Sequence, residues 1–301
     1  MDRSGRLLAG IRDSGAYILG VGVHNAATAR LVEHAGFGVL WLSSLEISTA
    51  KALPDANVIT SVEVAEIARE IRRATRLPMI VDADNGYGSN ETAVRAAQAF
   101  HAAGVAAMCI EDNAFPKRNS FYQGIDRQLE DAAAFGGRIR AIRRAVGDDR
   151  FEIIARTEAL VAGLGVAEAL ERARAYVEAG ADAIFVQTNT STIAEFEWVL
   201  GEIHMFAPIV IAPTALPNVP AARLHGMGAD VIIYSNVVIR TIAKALSQTL
   251  ASLSEAQCLG PLYDDIASME AIFELSGAYD WADLVEVPLE ASTVAQGAGG
   301  E

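Results

Sequence analysis

The sequence predicts an α/β protein folded as a (β/α)8 barrel of the TIM type, and three observations predict it. Eight short apolar runs alternate strictly with longer helical patterns over about 250 residues, the span such a barrel occupies. Each run is nearly continuous in apolar residues, as strands buried on both faces of a parallel sheet must be. Polar and acidic residues gather directly behind the runs, at the edge where barrels carry their sites.

In chain order the strands read 17–23 (YILGVGV), 38–43 (GVLWLS), 78–82 (PMIVD), 106–111 (AAMCIE), 152–156 (EIIAR), 183–188 (AIFVQT), 208–212 (PIVIA) and 230–234 (DVIIY). Amphipathic helices read over 90–103, 129–146, 166–179 and 238–252. Gly36, Gly104, Gly180 and Gly228 each stand between a helical stretch and the next strand. Glycine there suits the left-handed cap that stops a helix. Residues 255–290 read as further helix (YDDIASMEAIFEL), so one domain is expected over 1–290. The small, polar tail 291–301 reads as disordered.

The chain has 301 residues, 51% of them hydrophobic, enough for a sizeable core. Its formal net charge is −14, from 24 basic and 38 acidic residues. Nucleic acid is therefore not an expected partner, since phosphate-backbone binding needs clustered Lys and Arg. A small anion held by a bound cation and a few placed bases remains compatible. No apolar run reaches the roughly 18 residues of a membrane span. The N-terminus lacks a secretory pattern, and the expectation is a cytoplasmic protein. Cys109 and Cys258 do not make a disulfide framework, and Cys109, inside an apolar run, reads as a core residue.

Asp82 and Asp84 follow the third strand and Glu111 ends the fourth. Three carboxylates on one edge make a hard-oxygen set suited to Mg2+. Ser43 and Ser44 follow the second strand, Asp112 the fourth, Arg156 and Glu158 the fifth, Gln187 and Asn189 the sixth, Thr214 the seventh and Asn236 the eighth. Any one of these is ordinarily a cap or loop residue; their shared edge is what points to a site. Two connections are long. Segment 44–61 carries Asp55 in a PDAN turn, where Pro54 restrains the backbone. Segment 112–128 sets Lys117, Arg118, Asn119 and Ser120 behind Pro116. The plain reading of that segment is a solvated loop. Beside a metal site it also suits phosphoryl chemistry, which needs charge on phosphoryl oxygens neutralised and water excluded.

The motifs HNAATARLVEHAGFGVLW, LEIS followed by PDAN, VDADNGYG, EDNAFPKRNS and IARTEALVAGLG, with the APT and NVVIR segments, run from about residue 18 to 275. In them the chain resembles the isocitrate lyase and phosphoenolpyruvate mutase superfamily, and within it the phosphoenolpyruvate mutase branch. The resemblance implies a barrel whose C-terminal helices swap between subunits of a homodimer or homotetramer. It implies Mg2+ held by Asp82, Asp84 and Glu111, partly through water. It implies that Ser43 and Ser44 bind the carboxylate of a small anionic 2-oxo acid or phosphonate through backbone N–H groups, with Trp41, Leu45, Asn113 and Gln187 also in the substrate pocket. Arg156 would contact the anion, and Asp55 would sit at the phosphoryl transfer point as nucleophile or guide. Lys117, Asn119 and Ser120 would close over the phosphoryl oxygens. The implied reaction interconverts phosphoenolpyruvate and phosphonopyruvate, forming the C–P bond of phosphonate biosynthesis.

The superfamily's carbon–carbon lyases carry a K-[KR]-C-G-H lid whose Cys is the acid/base. Here the lid reads FPKRNS, so a Cys-dependent lyase is not expected. The branch that hydrolyses phosphonopyruvate usually has Thr where this chain has Asn119, which favours the mutase. Other positions depart from the mutases: Asn113 replaces a Lys, Gln187 a His, Ser44 the Gly of a Ser-Gly turn and Val237 the His of an Asn-His pair. Gln can donate a hydrogen bond but cannot carry charge, and charge-assisted bonds are roughly twice as strong as neutral ones. A phosphate-like trianion should therefore be held less firmly. The readings left open are a mutase, a hydrolase or lyase/decarboxylase on a related 2-oxo acid, and a catalytically idle barrel that only binds ligand.

Overall fold

A computed structural model describes residues 6–122, 124–189 and 192–286. The tail 291–301 lies outside the described residues. The chain divides into two compact units, Met1–Arg240 and Thr241–Glu301.

The first unit contains a closed parallel barrel of β1 (Ile18–Val23), β2 (Val39–Leu42), β3 (Met79–Asp82), β4 (Ala107–Glu111), β5 (Glu152–Thr157), β6 (Ala183–Val186), β7 (Ile209–Ile211) and β8 (Val231–Tyr234). Ile18 pairs with Val231, which closes the ring. All eight expected strands are present, with ends shifted by at most two residues. Their continuous apolar character has a direct cause. Alternate residues face a small inner cluster, including Val39, Trp41, Ile80, Cys109, Ile154 and Phe185. The intervening ones, such as Leu40, Val81, Met108 and Ile153, face the large cluster beneath the helices. On β1 the sequence uses Gly20 because a Cβ there would lie 2.6 Å from both Ile233 Cδ1 and Val39 Cγ1.

The helices are α1 (Leu7–Ser14), α2 (Ala26–His34), α3 (Ser44–Ala50), α4 (Ser61–Ala74), α5 (Asn90–Ala102), α6 (Ala132–Val146), α7 (Gly165–Glu178), α8 (Ile193–His204), α9 (Ala221–Gly226), α10 (Val237–Ala256), α11 (Met269–Ser276) and α12 (Ala278–Leu284). Gly36, Gly104, Gly180 and Gly228 all take positive φ, as the strand-entry glycines were expected to. α1 closes the N-terminal mouth: Leu8 and Ile11 join the inner cluster, and the Leu8 N–H donates to both carboxylate oxygens of Glu152 at 3.0 Å.

Two local expectations are corrected. Segment 44–61 is not all loop, because Ser43 accepts the Glu46 N–H through Oγ and starts the seven-residue α3. Residues 263–268 are not helical: Ser268 takes an extended backbone and accepts the Ala271 N–H, so α11 begins only at Met269. Among the described residues no helix is long and apolar enough to cross a membrane.

Candidate active site

Three loops converge over the C-terminal ends of β2 to β5. The PDAN turn places Asn57 in the left-handed region at φ 58°. From there its Nδ2 donates to Asp84 Oδ2 at 3.2 Å and to Asn85 Oδ1 at 3.3 Å, while its Oδ1 accepts the Lys117 N–H at 2.6 Å. Asn57 thus joins the loops after β2 and β3 to the lid. The lid, 112–128, closes on itself: Ala114 N–H donates to Gln128 O at 2.9 Å and Glu130 N–H to Asp112 O at 2.8 Å. Its root is fixed by the buried Asp112 carboxylate, which accepts from Thr157 Oγ1 (3.0 Å), Tyr176 OH (2.7 Å), Arg172 Nη1 (3.2 Å) and the Glu158 N–H (2.8 Å).

Under the lid is a cavity of about 50 Å3. Trp41, Ser43, Leu45, Asp55, Asp82, Glu111, Lys117, Asn119, Ser120, Arg156 and Gln187 all line it, as do Thr214 and Asn236. Ser44, Asp84 and Asn113 stand behind this lining. Ser44 Oγ donates to Asp82 Oδ2 at 2.9 Å and accepts from Lys117 Nζ at 2.8 Å. Lys117 Nζ pairs with Asp84, and with Asp55 Oδ1 at 2.9 Å. Asn119 Nδ2 donates to Asp55 Oδ2 at 2.8 Å, and Asn113 Nδ2 to Glu111 Oε1 at 3.0 Å. Arg156 Nε lies 3.3 Å from Glu111 Oε2, and its guanidinium sits 5.0 Å above the Phe185 ring. The Ser43 N–H already donates to Val23 O at 3.3 Å, leaving the Ser44 and Leu45 N–H groups at the opening turn of α3. Gln187 Nε2 donates to the Thr188 carbonyl at 3.0 Å. Asn189 is exposed and lines no part of the cavity.

The electrostatics are lopsided. Burial pushes the Asp84 carboxyl up to about 7; the Lys117 charge opposes this, and the neighbouring Asp82 and Asp55 charges add to it. Burial likewise raises Glu111 to about 7, against Arg156 and Lys117 and with Glu158 and Asp82. For Asp55 burial also acts upward, but the Lys117 charge and bonds from Asn119, Lys117 and Ser44 outweigh it and hold this carboxyl below its ordinary value. Burial would discharge Lys117, yet Asp84, Asp55, Asp82 and Glu111 drive its pKa well above the usual lysine range. The mouth therefore has more buried carboxylate than cation. Among the described residues, no three His, Cys, Asp or Glu side chains converge closely enough to hold a metal ion by themselves; Lys117 stands among the acids instead.

Sequence reasoning gave too little weight to two residues. Asn57 lies in the same PDAN turn as Asp55, but an Asn in a turn usually satisfies its own backbone. Glu158 was visible as a strand-end residue, but nothing local shows that it reaches Ser120 and Arg156.

Residues 8–254 match the phosphoenolpyruvate phosphomutase family. The phosphoenolpyruvate phosphomutase of Tetrahymena pyriformis is 33% identical over 84% of this chain and 85% of its own length. The solved phosphoenolpyruvate phosphomutase of Streptomyces platensis subsp. rosaceus is 35% identical, with a TM-score of 0.90 over 93% of this chain and 97% of that one. A solved phosphonopyruvate hydrolase, in complex with oxalate and Mg2+, is 32% identical with a TM-score of 0.88, covering 96% of this chain and 100% of that one.

Proposed function

The chain belongs to the phosphoenolpyruvate phosphomutase family, and from that premise we propose that it interconverts phosphoenolpyruvate and phosphonopyruvate. The observation that carries the reading is the lid resting on Asp55, with Lys117 Nζ at 2.9 Å and Asn119 Nδ2 at 2.8 Å from a buried carboxylate. A carboxylate kept ionised and shielded from water can accept or guide a phosphoryl group while lid donors neutralise its oxygens. In the direction of C–P formation the O–P bond breaks, its electron pair leaving with the enolate, and C3 of that enolate then bonds to phosphorus. No net proton is transferred. Arg156, with the Ser44 and Leu45 N–H groups, holds the acid's oxygens and the developing enolate charge.

Mg2+ suits the donor types present when water completes its shell: Asp82, Asp84 and Glu111 are buried hard-oxygen groups on one edge that do not converge to hold an ion by themselves, and Mg2+ characteristically takes one or two carboxylates while keeping several waters. Asp82, Asp84 and Glu111 would hold it, with Asn113 bracing Glu111. When bound it supplies Lewis-acid neutralisation of the substrate's oxygens.

A hydrolase reading has its own support in the similarity to phosphonopyruvate hydrolase. Phosphorus NMR of phosphonopyruvate incubated with the protein and Mg2+ separates the two. A growing phosphoenolpyruvate signal is expected. Free phosphate alone would replace the mutase with the hydrolase, and an unchanged spectrum would remove both.

The same reading makes this a cytoplasmic homo-oligomer. In the second unit Leu246, Leu250, Met269, Trp281 and Leu284 are all exposed apolar side chains that a partner subunit could cover. Light scattering is expected to return at least twice the chain mass of 31.9 kDa; a monomer would contradict it.

A further inference from the structure

Glu158 is fully buried beside the cavity, yet the reaction proposed above gives it no part. Its Oε1 accepts from Arg156 Nε at 2.6 Å. Ser120 Oγ lies 3.1 and 2.9 Å from its two oxygens, so the serine proton is directed at Glu158. Ser120 Oγ in turn accepts from Arg156 Nη2 at 2.7 Å. Three side chains thus close a triangle, one corner on the lid and two on the end of β5. The Glu158 corner is immobile because its N–H donates to Asp112 Oδ1 at 2.8 Å, inside the network that anchors the lid root. One edge of the Arg156 guanidinium, Nε and Nη2, is taken up by the triangle and one face rests over Phe185. Nη1 makes no hydrogen bond among the described residues.

We propose that Glu158 is a positioning residue that couples lid closure to the aim of Arg156. With Ser120 down on Glu158, the guanidinium is clamped through Nε and Nη2 and offers Nη1 to an anion. When the lid lifts, Ser120 leaves and Nη2 keeps only its direct contact with Glu158 beside that of Nε, so the guanidinium is held from one side and its aim is loosened. A single buried carboxylate thereby makes anion binding depend on closure. A charge-assisted buried triangle is a strong form of such a link, since each bond to an ionised group exceeds a neutral one. The inference rests on the reading of Arg156 as the group that holds the substrate anion.

The test compares wild type, Ser120→Ala, Glu158→Ala, Glu158→Gln and the Ser120/Glu158 double alanine variant by two readouts. One is amide hydrogen exchange across the lid, and the other is calorimetric binding of oxalate in the presence of Mg2+. Ser120→Ala and Glu158→Ala are each expected to speed lid exchange and weaken oxalate by about tenfold. The double variant should be no worse than either single one, because all three remove the same link. Glu158→Gln should restore both readouts only in part, since its carboxamide still accepts from Arg156 and bonds Ser120 but without the charge that strengthens those bonds. Lid exchange unaltered by Ser120→Ala, or fully additive losses in the double variant, would overturn the proposal. If Glu158→Ala does not fold, Ser120→Ala and Glu158→Gln still decide it. A protein that binds oxalate but leaves phosphonopyruvate unchanged would sink the mutase reading and leave this coupling intact. A lid indifferent to Ser120→Ala does the reverse.

Discussion

The two mouths of the barrel bury the same kind of side chain to opposite effect. At the N-terminal mouth Glu152 accepts the Leu8 N–H with both oxygens, and Asp182 accepts the Ile153 N–H at 2.7 Å while pairing with Arg6 and Arg143. Each acid there has donors set by the fold. At the C-terminal mouth Asp55, Asp82, Asp84 and Glu111 share Lys117 and Arg156, and burial lifts two of them to about 7. The difference lies in crowding: four carboxylates gather around two cations at the C-terminal mouth, whereas the acids at the other mouth stand apart, each with its own donors. A satisfied one, such as Glu152, is structural.

The largest expected effect is at Asp55: Asp55→Ala should lower turnover of phosphonopyruvate by about a thousandfold or more while the protein stays folded. Activity retained in steady-state assays would remove Asp55 from the reaction. At the other mouth, Leu8→Ala should cost about 3 kcal/mol of stability by emptying the plug position, measured by denaturant unfolding, with turnover of the folded protein unchanged. A paired exchange is sharper still. Without added metal, Glu111→Gln should raise the melting temperature, because it removes a poorly compensated buried charge. Glu152→Gln should lower it, by about 1 kcal/mol equivalent, since a well-paired acceptor is weakened. Shifts of the same sign would erase the distinction between the mouths. The smallest effect is expected from restoring cations at the substituted positions. Asn113→Lys and Gln187→His should each lower the KM for phosphonopyruvate by about threefold to tenfold; no change would show that neither position meets the phosphoryl group.

The fold was legible because parallel barrel strands are apolar on both faces, so their runs stand out by composition, and Gly36, Gly104, Gly180 and Gly228 mark four of the eight strand entries. α3 escaped notice for the opposite reason. Ser44, Glu46 and Ser48 are buried in it beside Ile47, so polar residues occupy positions where a helical apolar stripe would otherwise appear. Residues 263–268 read as helix by composition, and only the extended backbone at Ser268 shows that the helix begins later. At the site, the acids and the lid cations were visible as residue types at strand ends and in a long loop. Which cation meets which acid was not, because Lys117 reaches Asp84 and Asp55 across 33 and 62 positions of the chain, and no local pattern encodes a contact at that range. Glu158 is the clearest case: its meaning lies wholly in Ser120 and Arg156.

We infer that the C-terminal mouth, with four buried carboxylates around Lys117 and Arg156, binds its anion only when a divalent cation joins them. Calorimetric titration of oxalate into the protein, with Mg2+ and then with chelator, tests it directly. Clear binding is expected with Mg2+, and a loss of about a hundredfold or more without it. Equal affinity in both conditions would contradict it.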